Sequence, residues 1–125
     1  NAAAVADERA RESAANKIKK NEETLTLVLE KNPDILKELG SLKRKGQILV
    51  GFAAETQNLL EFARQKLEKK NLDFIVANDV TKPNAGFNTE TNLVKLLSRD
   101  GGIEEFPLMS KRELAGIILD RVEAL

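Results

Sequence analysis

Two short apolar runs separated by an amphipathic stretch constrain this chain more than any other feature. Ile48-Leu49-Val50-Gly51-Phe52-Ala53-Ala54 is continuously apolar, and so is Phe74-Ile75-Val76-Ala77. A run without alternation reads as a strand buried on both faces. Between the two, Leu59, Leu60, Ala63 and Leu67 recur at helical spacing, beside Arg64, Lys66, Lys69 and Lys70. A strand, a helix and a strand in that order need a crossover, which predicts parallel pairing. The class that follows is α/β. In such sheets ligands sit beyond the carboxyl ends of the strands. That directs attention to Asp7, to residues 53–56, and to Asn78 and Asp79.

The flanking segments supply the other elements. Ala2 to Ala6 is a small apolar run that reads as a buried strand ending at Asp7. A domain rarely opens inside its core, and Asn1 is not Met, so upstream sequence is expected. Glu8 to Glu23 reads as a frayed helix or a flap, and Thr24 to Leu29 as a strand. Asn32-Pro33-Asp34 predicts a helix start, with Asn32 as cap and Pro33 in the first turn. Ile35, Leu36 and Leu39 line one face, and Gly40 is the expected stop. Thr56 is the expected cap of the next helix. Residues 81–89 read as a loop. Asn92–Leu97 and Ile103–Met109 read as a hairpin turning through Asp100-Gly101-Gly102. Ser110 with Glu113 makes a capping box for a last helix, and Met109 with Leu114 a hydrophobic staple. Leu114, Ile117, Ile118, Val122 and Leu125 are its expected buried face. No repeat and no second domain interrupts residues 1–125.

Composition narrows the chemistry. The 125 residues are 42% hydrophobic, enough for one core. Lys plus Arg equals Asp plus Glu at 20 each, so nothing draws the whole chain to nucleic acid or to an anionic membrane. No apolar run approaches the roughly 20 residues that span a bilayer. There is no Cys and no His, which excludes thiol nucleophiles, disulfides, histidine bases and structural zinc sites together. A chain without Cys fits the cytoplasm. Lys, Arg, carboxylates and backbone groups remain.

Taken singly, the polar features stay open. Lys17-Ile18-Lys19-Lys20 is either a phosphate site or a solvated loop. The helix start at Asn32-Pro33-Asp34-Ile35 offers free N–H groups to an anion or a base edge, or is merely capped. Gly51-Phe52-Ala53-Ala54-Glu55-Thr56 admits a ligand close to the backbone, or simply packs strand on helix. Lys66 and Lys70 share a helix face and either hold a polyphosphate or meet solvent. No Gly-x-Gly-x-x-Gly and no Walker loop is present.

Read in order, these segments resemble one family. Ala3-Ala4-Val5-Ala6-Asp7, Lys17-Ile18-Lys19-Lys20, Lys31-Asn32-Pro33-Asp34-Ile35, Gly51 to Thr56, Ala63-Arg64-Gln65-Lys66 and Asp73 to Val80 follow the succession found in bacterial phosphopantothenate–cysteine ligase. Gly86-Phe87-Asn88 and Asn92 continue the match, which runs from about Ala2 to Leu125. The resemblance implies a Rossmann-like three-layer sandwich with a mainly parallel sheet and a C-terminal β-hairpin plus helix. It implies a cytoplasmic homodimer that joins 4′-phosphopantothenate to L-cysteine using CTP and Mg2+. The substrate carboxylate attacks the α-phosphate, pyrophosphate leaves, and the cysteine amine displaces CMP from the acyl-cytidylate. FMN belongs to a decarboxylase fused ahead of this domain in many bacteria, not to this chain. Such chemistry needs positioning and charge stabilisation more than a protein nucleophile, in keeping with the composition.

Carried over by motif, Asp7, Lys17, Pro33, Asp34, Ile35, Leu36, Phe52, Lys66 and Lys70 resemble nucleotide contacts. Lys17 resembles the group that stabilises charge at the reacting phosphate. Ala3 stands where the family places a residue needed to make the intermediate. Metal ligands are not indicated. Two departures matter. Glu8 and Ala10 stand where many members carry an aromatic residue and a proline. The family's upstream Gly-rich loop and Asn-x-Ser-Ser-Gly segment do not occur in these residues, so the chain in isolation is expected to bind incompletely and to be inactive. A non-catalytic dimerisation or nucleotide-binding fragment is the competing reading. A Rossmann-type oxidoreductase is a third, against which the missing dinucleotide fingerprint counts.

Overall fold

A computed structural model describes residues 6–11, 24–55, 58–79 and 91–125. They group into two units, Asn1–Ile35 and Leu36–Leu125. Of the sequence expectations, the strand at 2–6 (save Ala6), the Lys17 run, the Thr56 cap and the loop at 81–89 lie outside the described residues.

The first unit holds an antiparallel ribbon. β1 (Glu8–Ala10) pairs with β2 (Leu29–Lys31), and Arg9 stands opposite Glu30, donating to it at 2.7 Å. Arg11 N–H to Val28 O (2.9 Å) and Asn32 N–H to Asp7 O (2.8 Å) extend the pairing at both ends. Residues 8–10 are therefore strand, not helix or flap. The cross-strand ion pair and ladder bonds outweigh the local helix preference. The strand expected over 24–29 starts only at Leu29, and Leu25, Leu27 and Val28 are more than half exposed. Strand propensity is realised only where a partner supplies a ladder, and β1 offers just three residues. Asn32 does not cap the next helix. Its Nδ2 donates to Ala6 O at 2.8 Å, and α1 (Ile35–Leu42) begins three residues later.

In the second unit the crossover expected from the sequence is present. β3 (Val50–Glu55), α2 (Leu59–Lys69) and β4 (Phe74–Asp79) follow one another, and the strands pair in parallel from Val50 opposite Phe74 to Glu55 opposite Asp79. β5 (Thr91–Ser98) and β6 (Ile103–Ser110) add antiparallel, giving a mixed sheet in the order β3-β4-β5-β6. Their turn uses Gly101 at φ +94°, a conformation glycine adopts without penalty. α3 (Lys111–Glu123) closes the chain.

The two faces of β4 explain its unbroken apolar run. Ile75 and Ala77 join Ala53, Ala63, Leu67, Leu72 and Leu97 under α2, with Leu36 of α1 alongside. Phe74 and Val76 join Val94, Leu96 and Leu114 under α3. Gly51 on β3 fits tightly in this packing: a Cβ there would lie 2.7 Å from Leu72 Cδ1 and 3.1 Å from Leu36 Cδ2, so those side chains would have to shift. Gly40 does not stop α1. It lies inside the helix, where a Cβ would come within 1.8 Å of Lys70 O. Close approach to the end of α2 selects glycine here, not a left-handed cap. α2 itself starts behind Asn58, which is in the left-handed region at φ 47° and makes no side-chain cap.

The last helix follows the sequence closely. Glu113 N–H donates to Ser110 Oγ at 3.2 Å, and Ser110 N–H donates to Glu113 Oε2 at 3.0 Å. Met109 and Leu114 fall in one cluster, with Ile118 and Val122. Ile117 is half-buried outside this cluster, and Leu125 departs further. The helix ends at Glu123, and Leu125 is 69% exposed.

Candidate functional site

β3 and β4 end side by side at Glu55 and Asp79, and the polar residues of the second unit's parallel pair gather there. Strand alternation divides them between two faces. Phe52 points to the face that carries α3. It is 67% exposed and borders a cavity of about 460 Å³ lined also by Val76, Asn78, Leu114, Ile118 and Leu119. The lining is mostly apolar, as small-molecule sites usually are. One polar atom stands out. Asn78 is buried, and its Oδ1 accepts no hydrogen bond among the described residues. A buried carbonyl oxygen in that state costs about 1–3 kcal/mol, so an N–H donor reaching it would be favoured.

The opposite face carries the charge. Gly51 and Ala53 are buried there, and Glu55 is next in line. Lys66 Nζ lies 2.5 Å from Glu55 Oε1, with the two side chains 40% and 16% exposed. Helical side chains lean toward the helix N-terminus, so a lysine in the last turn of α2 reaches back toward the end of the strand that precedes the helix. Lys70 is one turn further on, at the C-cap of α2, where its N–H bonds Lys66 O at 3.0 Å. The i, i+4 spacing thus places both lysines on one helix face, and Lys66 is already neutralised by a carboxylate.

In the first unit Asp7 is exposed and holds Asn32 through its backbone carbonyl. Pro33 and Asp34 lie exposed between β2 and α1, and Ile35, 53% exposed, opens α1. Leu36, in the second unit, is half-buried against the cluster under α2. Ala3 and Lys17 lie outside the described residues. The sequence pointed to residues 53–56 and to Asn78 and Asp79 as strand ends, and gave roles to Phe52 and Lys66 but none to Glu55 or Asn78. Glu55 was visible only as part of a strand–helix join. Asn78 was the first polar residue after an apolar run, and nothing in sequence signals an unpaired oxygen.

Residues 1–125 match the family described as the DNA/pantothenate metabolism flavoprotein C-terminal domain. The chain is similar to the coenzyme A biosynthesis bifunctional protein CoaBC of Bacillus subtilis (strain 168), 50% identical over 123 residues, covering 98% of this chain and 30% of that protein. Its counterpart in Escherichia coli (strain K12) is 46% identical over 123 residues, covering 96% and 30%. The crystal structure of a CoaBC C-terminal domain superposes with a TM-score of 0.71 at 40% identity, over 97% of this chain and 50% of that one. The chain thus spans about a third of the length of these curated relatives. Matched from end to end, with the same Rossmann-like α/β fold, the chain belongs to the DNA/pantothenate metabolism flavoprotein C-terminal domain family.

Proposed function

We infer that this chain is part of a phosphopantothenate–cysteine ligase acting in coenzyme A biosynthesis, which condenses 4′-phosphopantothenate with L-cysteine at the expense of CTP. The observation that carries this reading is the family match over all 125 residues, two of whose motifs build the adjoining ends of β3 and β4. The relatives named for coenzyme A biosynthesis support the pathway. The chemistry agrees with the residues available. Adenylation-type activation of a carboxylate needs cations and N–H donors around a triphosphate, and no histidine or thiol. Lys17 would stabilise the reacting phosphate, Phe52 would pack on the nucleotide, and Lys66 and Lys70 would meet its phosphates. Asp7, Pro33, Asp34, Ile35 and Leu36 complete the proposed nucleotide contacts, and Ala3 the site of the intermediate.

Mg2+ would arrive with the triphosphate and neutralise its charge. Asp79 is an oxygen donor of suitable chemistry at the end of β4. Among the described residues no group of three or more carboxylates gathers. Mg2+ usually keeps several waters and takes one or two carboxylates beside substrate phosphates. The exposed apolar residues Leu25, Leu27, Val28 and Leu29 support a homodimer, because a two-stranded ribbon is marginal without a further partner. The deciding assay incubates the full-length protein with CTP, 4′-phosphopantothenate, cysteine and Mg2+ and follows pyrophosphate. Release that requires both CTP and the acid is the expected result. Its absence with CTP and with ATP alike would remove the reading.

A further inference from the structure

We propose that Glu55 is a positioning residue for the nucleotide: it holds the Lys66 ammonium at the carboxyl end of β3 before the phosphates arrive. This rests on the reading of Lys66 as a nucleotide contact. The starting point is where Glu55 stands. On the α2 face of β3 the two preceding positions, Gly51 and Ala53, are buried and apolar, yet the third is a carboxylate only 16% exposed. A half-buried carboxylate at a core-facing position is costly unless paired. Its partner at 2.5 Å is Lys66, eleven residues on and from a different element.

An ordinary surface ion pair contributes little. This one differs in its asymmetry. The carboxylate is the less exposed member, anchored at the end of a strand. The ammonium is the exposed member, at 40%, on a four-carbon stem. The fixed group therefore restrains the mobile one. A free lysine would have to surrender its rotamer freedom when it captured a phosphate, and Glu55 removes that loss in advance. An ammonium has three donors, so one can remain on Glu55 while others turn to phosphate oxygens.

The test is a double-mutant cycle on the full-length protein, with Glu55→Gln, Lys66→Met and the double variant. Equilibrium binding of CTP with Mg2+ and steady-state kinetics are the readouts. Both single changes preserve size, and thermal melts verify that each variant is folded. Glu55→Gln is expected to raise the CTP dissociation constant about three- to tenfold, the loss falling on KM more than on kcat at saturating CTP. Lys66→Met should raise it further, and Glu55→Gln should add nothing in the Lys66→Met background. Unchanged or tighter CTP binding by Glu55→Gln, or additive losses in the double variant, would overturn the positioning role while leaving Lys66 as a contact. Unchanged binding by Lys66→Met would overturn both assignments at this lysine. Wild-type protein that binds no CTP would instead condemn the ligase reading itself.

Discussion

Asp73 shows how one side chain can join three segments. It stands just before β4, where Lys43 Nζ and Leu49 N–H reach its Oδ2 at 3.0 and 2.8 Å. Lys43 also donates to Asn71 O at 3.0 Å, so the end of α1, the approach to β3 and the start of β4 are tied at one carboxylate. Burial raises the Asp73 pKa, but the Leu49 N–H, the Lys43 hydrogen bond and charge, and Arg99 together outweigh it and leave it below the ordinary 3.8. A carboxyl depressed in the folded state stabilises the fold above its unfolded pKa, and that contribution is lost as pH falls through the folded value. Urea midpoints should therefore fall below about pH 4 in part because of Asp73. An Asp73→Asn variant should be less stable than wild type at neutral pH and converge on it in acid. Parallel pH profiles would refute this. At the reaction, Lys17→Ala should cut kcat about 10²-fold, as loss of one charge-stabilising donor does elsewhere. Unaltered turnover would remove Lys17 from that role.

Among the elements, α3 and α1 make opposite points about local sequence. The α3 start is written locally, in Ser110 and Glu113, and both arms of the capping box form. Ser110→Ala should lower stability by about 1 kcal/mol, read as a shift of the denaturation midpoint with m unchanged. In α1 a helix scale favours Gly40→Ala by up to about 1 kcal/mol. The structure reverses the sign, because the added methyl would meet Lys70 O at 1.8 Å. Separating the two helix ends, or straining them, costs about 1–3 kcal/mol. Gly40→Ala is therefore expected to destabilise, and a raised melting temperature would contradict the packing of α1 on α2. The Glu104–Arg121 pair between β6 and α3 is bidentate at 2.8 Å, but both side chains are over 40% exposed, so it contributes little.

Across the second unit, stability and function separate along β3 and β4. Ile75 is 1% exposed in the cluster under α2, and Ile75→Ala should cost about 2–5 kcal/mol. Phe52, one strand away, is 67% exposed. Phe52→Ala should alter stability by less than about 0.5 kcal/mol yet weaken CTP binding if the ring packs on the nucleotide. Chemical denaturation and equilibrium binding on the same pair of variants would check both statements. A large stability loss for Phe52→Ala would mean that the ring is a core residue.

The amino-acid order alone determined the parallel pair, the hairpin through Gly101 and the capped last helix. Each follows from hydrophobic period or turn chemistry within a few neighbouring residues. It also carried the motif succession by which the family is recognised. Other features depended on partners distant in the chain. Residues 8–10 became strand because Leu29–Lys31 pairs with them, Asn32 gave its side chain to Ala6 instead of a helix start, and Gly40 was selected by Lys70 thirty residues away. The Glu55–Lys66 pair and the Asn78 oxygen that accepts no hydrogen bond among the described residues are of the same kind. Side-chain pairing and desolvation are properties of where atoms meet, and a one-dimensional pattern does not contain that distance.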